Sequence, residues 1–521
     1  MKKPLLLAAA LLLMLDTPIA QAQTTSIRTI RGCCGFGWAL SPLRDIDGDG
    51  ITDAIVGQNG NGHVFVYSGR SGQQLHDFSL PGSDLGNAVA DAGDVDADGM
   101  HDIVAGAVNF AAGLIRVYSG RTGAQLLAVD APAGSSGFGQ SVAGVGDVNG
   151  DGRADLLVGA HLGLGRAFVI SGADGAVLRT LSSVDNRGFG AGVAKLRDVS
   201  GDGIAELLVS SMNDARLLVY SGADGSLLRT LNGDADSARF GEFFVADAGD
   251  VDADGKHDIY VGDYAAAGGR GAAYVFSGAD GHRLHKFTGA TNEGFGTGRG
   301  AGDVDGDGHA DLIIGGGTFS PPGVIQGGRA TVYSGATGAV LAVFTGSEAR
   351  ANFGFDAVGI GDVNGDRRPD FLISSSTGNR VDIIAGTSAP PAVAGFDIGA
   401  PITGIWYDPA QSGHGIFIEV LAGQQILAWW FTFDAQGKQA WFGGLGSYSG
   451  NRALINVTQT RGGRFIPNFN AANISNPSWG TLTFTFTGCN SGRVEFESDL
   501  GFGAGTMALT RLSQPLGLAC P

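Results

Sequence analysis

The sequence predicts an all-β chain: a seven-bladed β-propeller closed by an N-terminal strand, followed by a small antiparallel β-domain. Three observations carry this expectation. An acidic nine-residue loop recurs seven times at intervals of 49, 53, 51, 52, 53 and 59 residues, and a period near 50 belongs to propellers, solenoids and arrays. Each copy is flanked by short apolar runs and glycine-rich turns that read as four strands, the content of one blade. The 90 glycines follow no three-residue period, which is the composition of turn-rich β structure and not of collagen.

Taken in order, the chain begins with Lys2 and Lys3, an apolar run from Leu5 to Leu15, and the small-residue stretch Ala20-Gln21-Ala22. This is the pattern of a cleaved secretory signal peptide over residues 1–22 and is short for a membrane span. No later segment has a spanning length of apolar residues, so the mature chain is expected outside the cytoplasm, secreted or periplasmic. The formal charge of −18 argues against nucleic acid and anionic membrane as partners.

The repeats occupy residues 23–389. Phe-Gly or a relative lies about nine residues before each acidic loop: Phe36-Gly37, Leu85-Gly86, Phe138-Gly139, Phe189-Gly190, Phe240-Gly241, Phe295-Gly296 and Phe353-Gly354. A buried strand follows each loop, as in Leu156-Leu157-Val158. A third strand then ends in a turn such as VYSGRSG (66–72), VYSGRTG (117–123) or VYSGADG (219–225), where glycine supplies hairpin geometry. The seventh copy runs into Pro390-Pro391 without a fourth strand, whereas Ser26–Gly32 (SIRTIRG) resembles LLRTLNG at 227–233. The N-terminal segment is therefore expected to complete the last blade, closing the ring and removing its free edges.

The acidic loops are Asp45–Asp53, Asp94–Asp102, Asp147–Asp155, Asp198–Glu206, Asp250–Asp258, Asp303–Asp311 and Asp362–Asp370. Positions 1, 3, 5 and 9 bring oxygen: Asp45, Asp47, Asp49 and Asp53; Asp94, Asp96, Asp98 and Asp102; Asp147, Asn149, Asp151 and Asp155; Asp198, Ser200, Asp202 and Glu206; Asp250, Asp252, Asp254 and Asp258; Asp303, Asp305, Asp307 and Asp311; Asp362, Asn364, Asp366 and Asp370. Hard oxygen ligands on a flexible loop suit Ca²⁺, at up to one ion per blade; magnesium asks for stricter octahedral geometry, and zinc for nitrogen or sulfur. An EF-hand is excluded, because position 12 is apolar and lies in a strand (Val56, Ala105, Val158, Val209, Val261, Ile314, Ile373). Arg367 replaces the turn glycine of the seventh loop, where a side chain is strained and the oxygens are expected to be less well aimed at an ion.

The combination of Phe-Gly with GDVNGDGxxDLLVGA resembles the FG-GAP repeat of integrin α-subunit propellers and related bacterial secreted proteins, over roughly residues 24–390. The resemblance implies seven blades, structural calcium in hairpin loops on one face, and partners bound elsewhere, often on the opposite face. It points to an adhesion or interaction scaffold for an extracellular protein or glycan, working as a monomer. The alternative is a polysaccharide-active enzyme or a lectin using the open propeller face.

After a linker at 390–400, residues 401–521 hold five of the six tryptophans: Trp406, Trp429, Trp430, Trp441 and Trp479. Alternation in ILAWWFTF (426–433) and TLTFTFT (481–487) reads as antiparallel strands. These aromatics are expected to form a core more than a sugar platform. Of four cysteines, Cys489 and Cys520 are the expected bridge, while adjacent Cys33 and Cys34 leave three outcomes open: a vicinal disulfide, free thiols or a link to another chain. No HExxH, GxSxG or phosphate-loop motif is present. His101, His257 and His309 read as loop side chains, and His414 with Glu419 as structural, so no catalytic residue is assigned.

Overall fold

A computed structural model describes the chain from Ser26 onward, apart from residues 111, 184–187, 367 and 387–397 and scattered positions of the C-terminal part (412, 423–424, 435–436, 450, 463–469, 471–472, 499, 501, 503, 514, 516–517 and 519–521). The expected signal peptide, Arg367, most of the linker and Cys520 thus lie outside the described residues. The chain divides into two compact units, Met1–Ser388 and Ala389–Pro521. No helix is long and apolar enough to cross a membrane among the described residues.

The first unit is a seven-bladed propeller of four-stranded antiparallel sheets. Blade three shows the pattern: Ser136–Gly146, Asp155–Leu162, Arg166–Ile170 and Val177–Leu181, in chain order. The second strand of each blade is buried along its first six residues because neighbouring blades cover both of its faces; only the longer strand of blade three runs on to half-buried His161 and exposed Leu162. Leu156 and Val158 face the cluster shared with blade two, while Leu157 faces the one shared with blade four, as the two-residue alternation of a strand requires. Seven such clusters fill the seven interfaces between blades. The core is thus a ring of interfaces around an axial cavity.

Blade seven consists of Phe353–Gly361, Asp370–Ser375, Arg380–Ile384 and the N-terminal strand Ser26–Arg31, which pairs antiparallel with Arg380–Ile384. The split repeat closes the ring as the sequence predicts. Arg28 also performs the task of its counterparts in complete repeats. Arg179 and Arg229 reach the Ser-Gly turn carbonyls of the next blade, Gly222 and Ala223 or Gly278 and Ala279. Arg28 likewise reaches Ser71 and Arg70 of blade one.

The Phe-Gly pairs fix how blades stack. Phe36, Phe138, Phe189, Phe240 and Phe295 are fully buried. Gly190 has φ +86°, and a side chain there would strike the Arg166 carbonyl, so only glycine serves.

The second unit is a closed eight-stranded antiparallel barrel running from Gly404–Tyr407 to Ala504–Arg511, with Trp406 and Tyr407 opposite Arg511 and Thr510. Its core holds Trp406, Trp430 and Trp479 with Phe442, Phe484 and Phe486. Trp441 faces outward, 59% exposed, so the core expectation holds for three of the five tryptophans and not for this one.

Candidate metal centres

Each acidic loop joins the first two strands of its blade, and its own backbone aims the carboxylates. In blade one, Asp45 accepts N–H bonds from Gly48 (2.7 Å), Asp49 (3.2 Å) and Gly50 (2.7 Å). Asp47 accepts from Asp49 N–H (3.2 Å), and Asp49 from Ile51 N–H (2.9 Å). The scheme recurs: Asp303 takes Gly306, Asp307 and Gly308, Asp305 takes Asp307, and Asp307 takes His309. Asp94, Asp147, Asp198, Asp250 and Asp362 fill the same role in the other loops.

Position 9 is buried in every loop and does more than its sequence position suggests. Asp53 accepts the N–H of Ile46 (2.9 Å) within the loop and of Gly69 (3.0 Å) in the Ser-Gly turn. Asp102, Asp155, Asp258, Asp311 and Asp370 grip Gly120, Gly172, Gly278, Gly335 and Gly386 in the same way. Glu206, one methylene longer, binds Val199 and Ser200 N–H.

The two ends of the loop therefore differ electrostatically. Although burial works against it, the N–H groups of Gly50, Gly48 and Asp49 hold Asp45 below the usual carboxylate range; Asp147 behaves alike for the same reasons. Asp198 is lowered chiefly by Gly201 and Gly203. Burial drives position 9 the other way, opposed by its two N–H partners and aided by nearby carboxylates. Asp53, Asp102, Asp258 and Asp370 rise to about 6 and Asp311 to about 7, and Asp155 is also raised.

In four loops the carboxylate oxygens converge within 4.8 Å of one another: Asp45, Asp47 and Asp53; Asp94, Asp96 and Asp102; Asp250, Asp252 and Asp254; Asp303, Asp305 and Asp311. Like charges about 4 Å apart repel by about 4 kcal/mol at an effective dielectric near 20. The donors are all hard oxygen, so the residues fit a calcium ion. The other three loops carry Asn149, Ser200 or Asn364 at position 3. There the Asn149 amide donates to Asp151 (2.9 Å), and that of Asn364 to Asp366 (3.0 Å) and Asp370 (3.3 Å).

Two further features escape the sequence pattern. Arg70 and Arg121, the odd residues of the SGRSG and SGRTG turns, reach position 5: Arg70 lies 3.3 Å from Asp49 and Arg121 2.7 Å from Asp98. In four loops the position 7 side chain ties the loop to the preceding blade. Arg153, Lys256, His309 and Arg368 donate to the carbonyls of Val95, Val199, Val251 and Val304. His101 and His257 pair with Asp91 and Asp247 at 2.7 Å, and His414 shares a hydrogen bond with Thr432. Cys33 and Cys34 are exposed free thiols, so the vicinal disulfide is not formed.

Residues 45–105 and 94–158 match the family model described as FG-GAP-like repeat. The matched stretch, which holds the first three acidic loops of the propeller, thus carries FG-GAP-like repeats. The chain is similar to Integrin alpha-V of Gallus gallus, with 31% identity over 269 residues, covering 48% of this chain and 22% of that protein. Integrin alpha-4 of Xenopus laevis is 33% identical over 149 residues, 24% of this chain and 14% of that protein. The chain thus spans less than a quarter of the length of these integrin relatives. Among solved structures, a chain of the BBS1N complex with ARL6DN soaked with lead gives a TM-score of 0.47 at 12% identity, covering 71% of this chain and 98% of that one.

Proposed function

We propose that the protein is an exported, calcium-binding FG-GAP propeller that works as a single-chain adhesion or interaction scaffold for an extracellular protein or glycan. In this reading residues 1–22 are a cleaved leader, 23–389 the propeller, 390–400 a linker and 401–521 the barrel domain, with Cys489 bridged to Cys520. The integrin relatives support binding over catalysis. One observation carries the calcium assignment: a repeated loop whose backbone N–H groups hold several carboxylate oxygens within reach of a single cation. Positions 1, 3, 5 and 9 hold the ion, from Asp45, Asp47, Asp49 and Asp53 through to Asp362, Asn364, Asp366 and Asp370. In the two asparagine loops the amide turns to offer its oxygen. The ion cancels the repulsion among the carboxylates and so ties the first strand, the second strand and the Ser-Gly turn of each blade together.

Equilibrium dialysis with elemental analysis, paired with melting curves in EGTA and in millimolar calcium, tests this. Several bound Ca²⁺ per chain and a clearly higher melting temperature with calcium are expected, since a site at a hundredfold excess over Kd adds about 2.7 kcal/mol. Identical curves and no bound metal would reduce the loops to acidic turns.

A further inference from the structure

The axial cavity, about 950 Å³, is lined by the first strands of the blades. One end lies near the acidic loops and the other near the Phe-Gly pairs. The residue straight after each pair is Trp38, Asn87, Gln140, Ala191, Glu242, Thr297 and Phe355 in blades one to seven. Seven copies that agree at the loops thus disagree here, and Trp38, Asn87, Gln140, Thr297 and Phe355 line the cavity.

We propose that this end of the cavity binds a neutral saccharide chain. The inference deepens the scaffold reading above, rests on it, and names its ligand class. Trp38 and Phe355, from adjacent blades, stand with ring centroids 5.0 Å apart at 44°. In blade five the strand begins late, at Val245, and Phe243 holds φ +64° while lining the cavity with Tyr264. A bulky residue at positive φ is strained and marks a site where contact matters more than backbone comfort. In blade two, beside the blade of Trp38, Asn87 is only 7% exposed, yet its amide nitrogen has no hydrogen-bond partner. A buried donor left unmade is costly, and a ligand hydroxyl would satisfy it. Gln140 lines the next blade, also buried.

Charge sets the ligand class. Arg299, the cation lining the cavity nearest this ring, is held by both oxygens of Asp356, at 2.6 and 3.2 Å. Arg44 directly follows its strand and Lys195 lies near the end of its own, both on the side that leads into the acidic loops. The ring therefore offers apolar faces and amides without a free cation, which suits a pyranose with its apolar face and hydroxyl edge. A polypeptide would present rows of backbone groups every few ångströms, whereas the ring places only a few polar side chains on the cavity, chiefly Asn87, Gln140 and Thr297.

The test is calorimetry on the full chain in calcium with cellohexaose, xylohexaose, laminarihexaose and maltohexaose, and with trigalacturonate and gelatin as anionic and polypeptide probes. At least one neutral hexaose should bind with Kd below about 1 mM. Trp38→Ala and Asn87→Leu should each weaken it about tenfold, and Trp38→Phe less, with melting temperatures unchanged. Trp441→Ala in the barrel should leave affinity intact. Binding only of trigalacturonate or gelatin, loss only in Trp441→Ala, or no hexaose binding would overturn the proposal. If calcium still raises the melting temperature while every hexaose fails, the inference falls and the scaffold reading stands.

Discussion

The two ends of one repeat are built on opposite rules. At the acidic end, position 1 is Asp in all seven loops, and in each it accepts backbone N–H groups drawn from positions 4 to 6 of its own loop. At the Phe-Gly end, the flanking position holds an indole, two amides, a methyl, a carboxylate, a hydroxyl and a phenyl ring. A device that holds a ring together must work alike at every blade. A device that recognises something needs unlike groups arranged around one centre. Repetition within the chain therefore separates what stabilises the fold from what contacts a ligand.

Blade six offers the sharpest test of that division, because one strand pair spans both ends. Asp311 is fully buried and takes N–H bonds from Val304 (2.7 Å) and Gly335 (2.9 Å). Asp311→Ala strands both donors and removes a proposed calcium ligand, and is expected to cost about 3 kcal/mol in urea unfolding with calcium. Thr297, at the other end, donates to the Gly354 carbonyl at 2.7 Å. Thr297→Ala is expected to cost about 1 kcal/mol, equally with and without calcium. Equal losses for the two variants would erase the distinction.

A second effect appears when metal is withdrawn and pH is varied. Position 9 carboxylates have folded pKa values raised to about 6 (Asp53, Asp102, Asp258, Asp370) or about 7 (Asp311), against about 3.9 unfolded. A raised carboxylate contributes stability that is present below its unfolded value and lost as pH climbs through its folded one. In EGTA the propeller should therefore become more stable on acidification from pH 7 toward pH 5. Asp45, Asp147 and Asp198, shifted downward, work in the reverse sense, but only below their unfolded pKa. With calcium the trend between pH 7 and 5 should reverse, because protons compete with the ion for the same oxygens. Parallel curves in EGTA and in calcium would contradict this.

Periodicity made the blades and the recurring acidic loops legible in the sequence, since those depend on spacing along one chain. Arg28 also announced ring closure, because SIRTIRG carries arginine where LLRTLNG does. Contacts made across folded distance stayed hidden. Nothing near Asp311 shows that Gly335, 24 residues on, completes its hydrogen bonding. The barrel shares this limit: alternation gives its strands, but closure rests on Trp406 meeting Arg511. Trp429 and Trp430 are neighbours in sequence, yet only Trp430 joins the core, since a strand turns successive side chains to opposite faces.

The smallest expected effect concerns a difference among the loops themselves. Blades one and two place an arginine on position 5, whereas blades three to six have Ala173, Ala223, Ala279 and Ala336 at the same turn. Arg121 holds Asp98 through Nε at 2.7 Å and its carbonyl through Nη2 at 2.7 Å, on a half-exposed side chain. The guanidinium competes with a cation for that carboxylate, and its charge also repels the ion. Arg121→Ala should raise calcium affinity in blade two about twofold, the scale of an exposed ion pair near 0.5 kcal/mol, with little change in metal-free stability. Titration of the blade two loop alone, in a background where position 1 of the other six loops (Asp45, Asp147, Asp198, Asp250, Asp303 and Asp362) is replaced by Asn, would resolve so small a shift. Weaker calcium binding in Arg121→Ala would mean that the arginine positions Asp98 for the ion instead of competing with it, and that the first two blades are refined versions of the common loop.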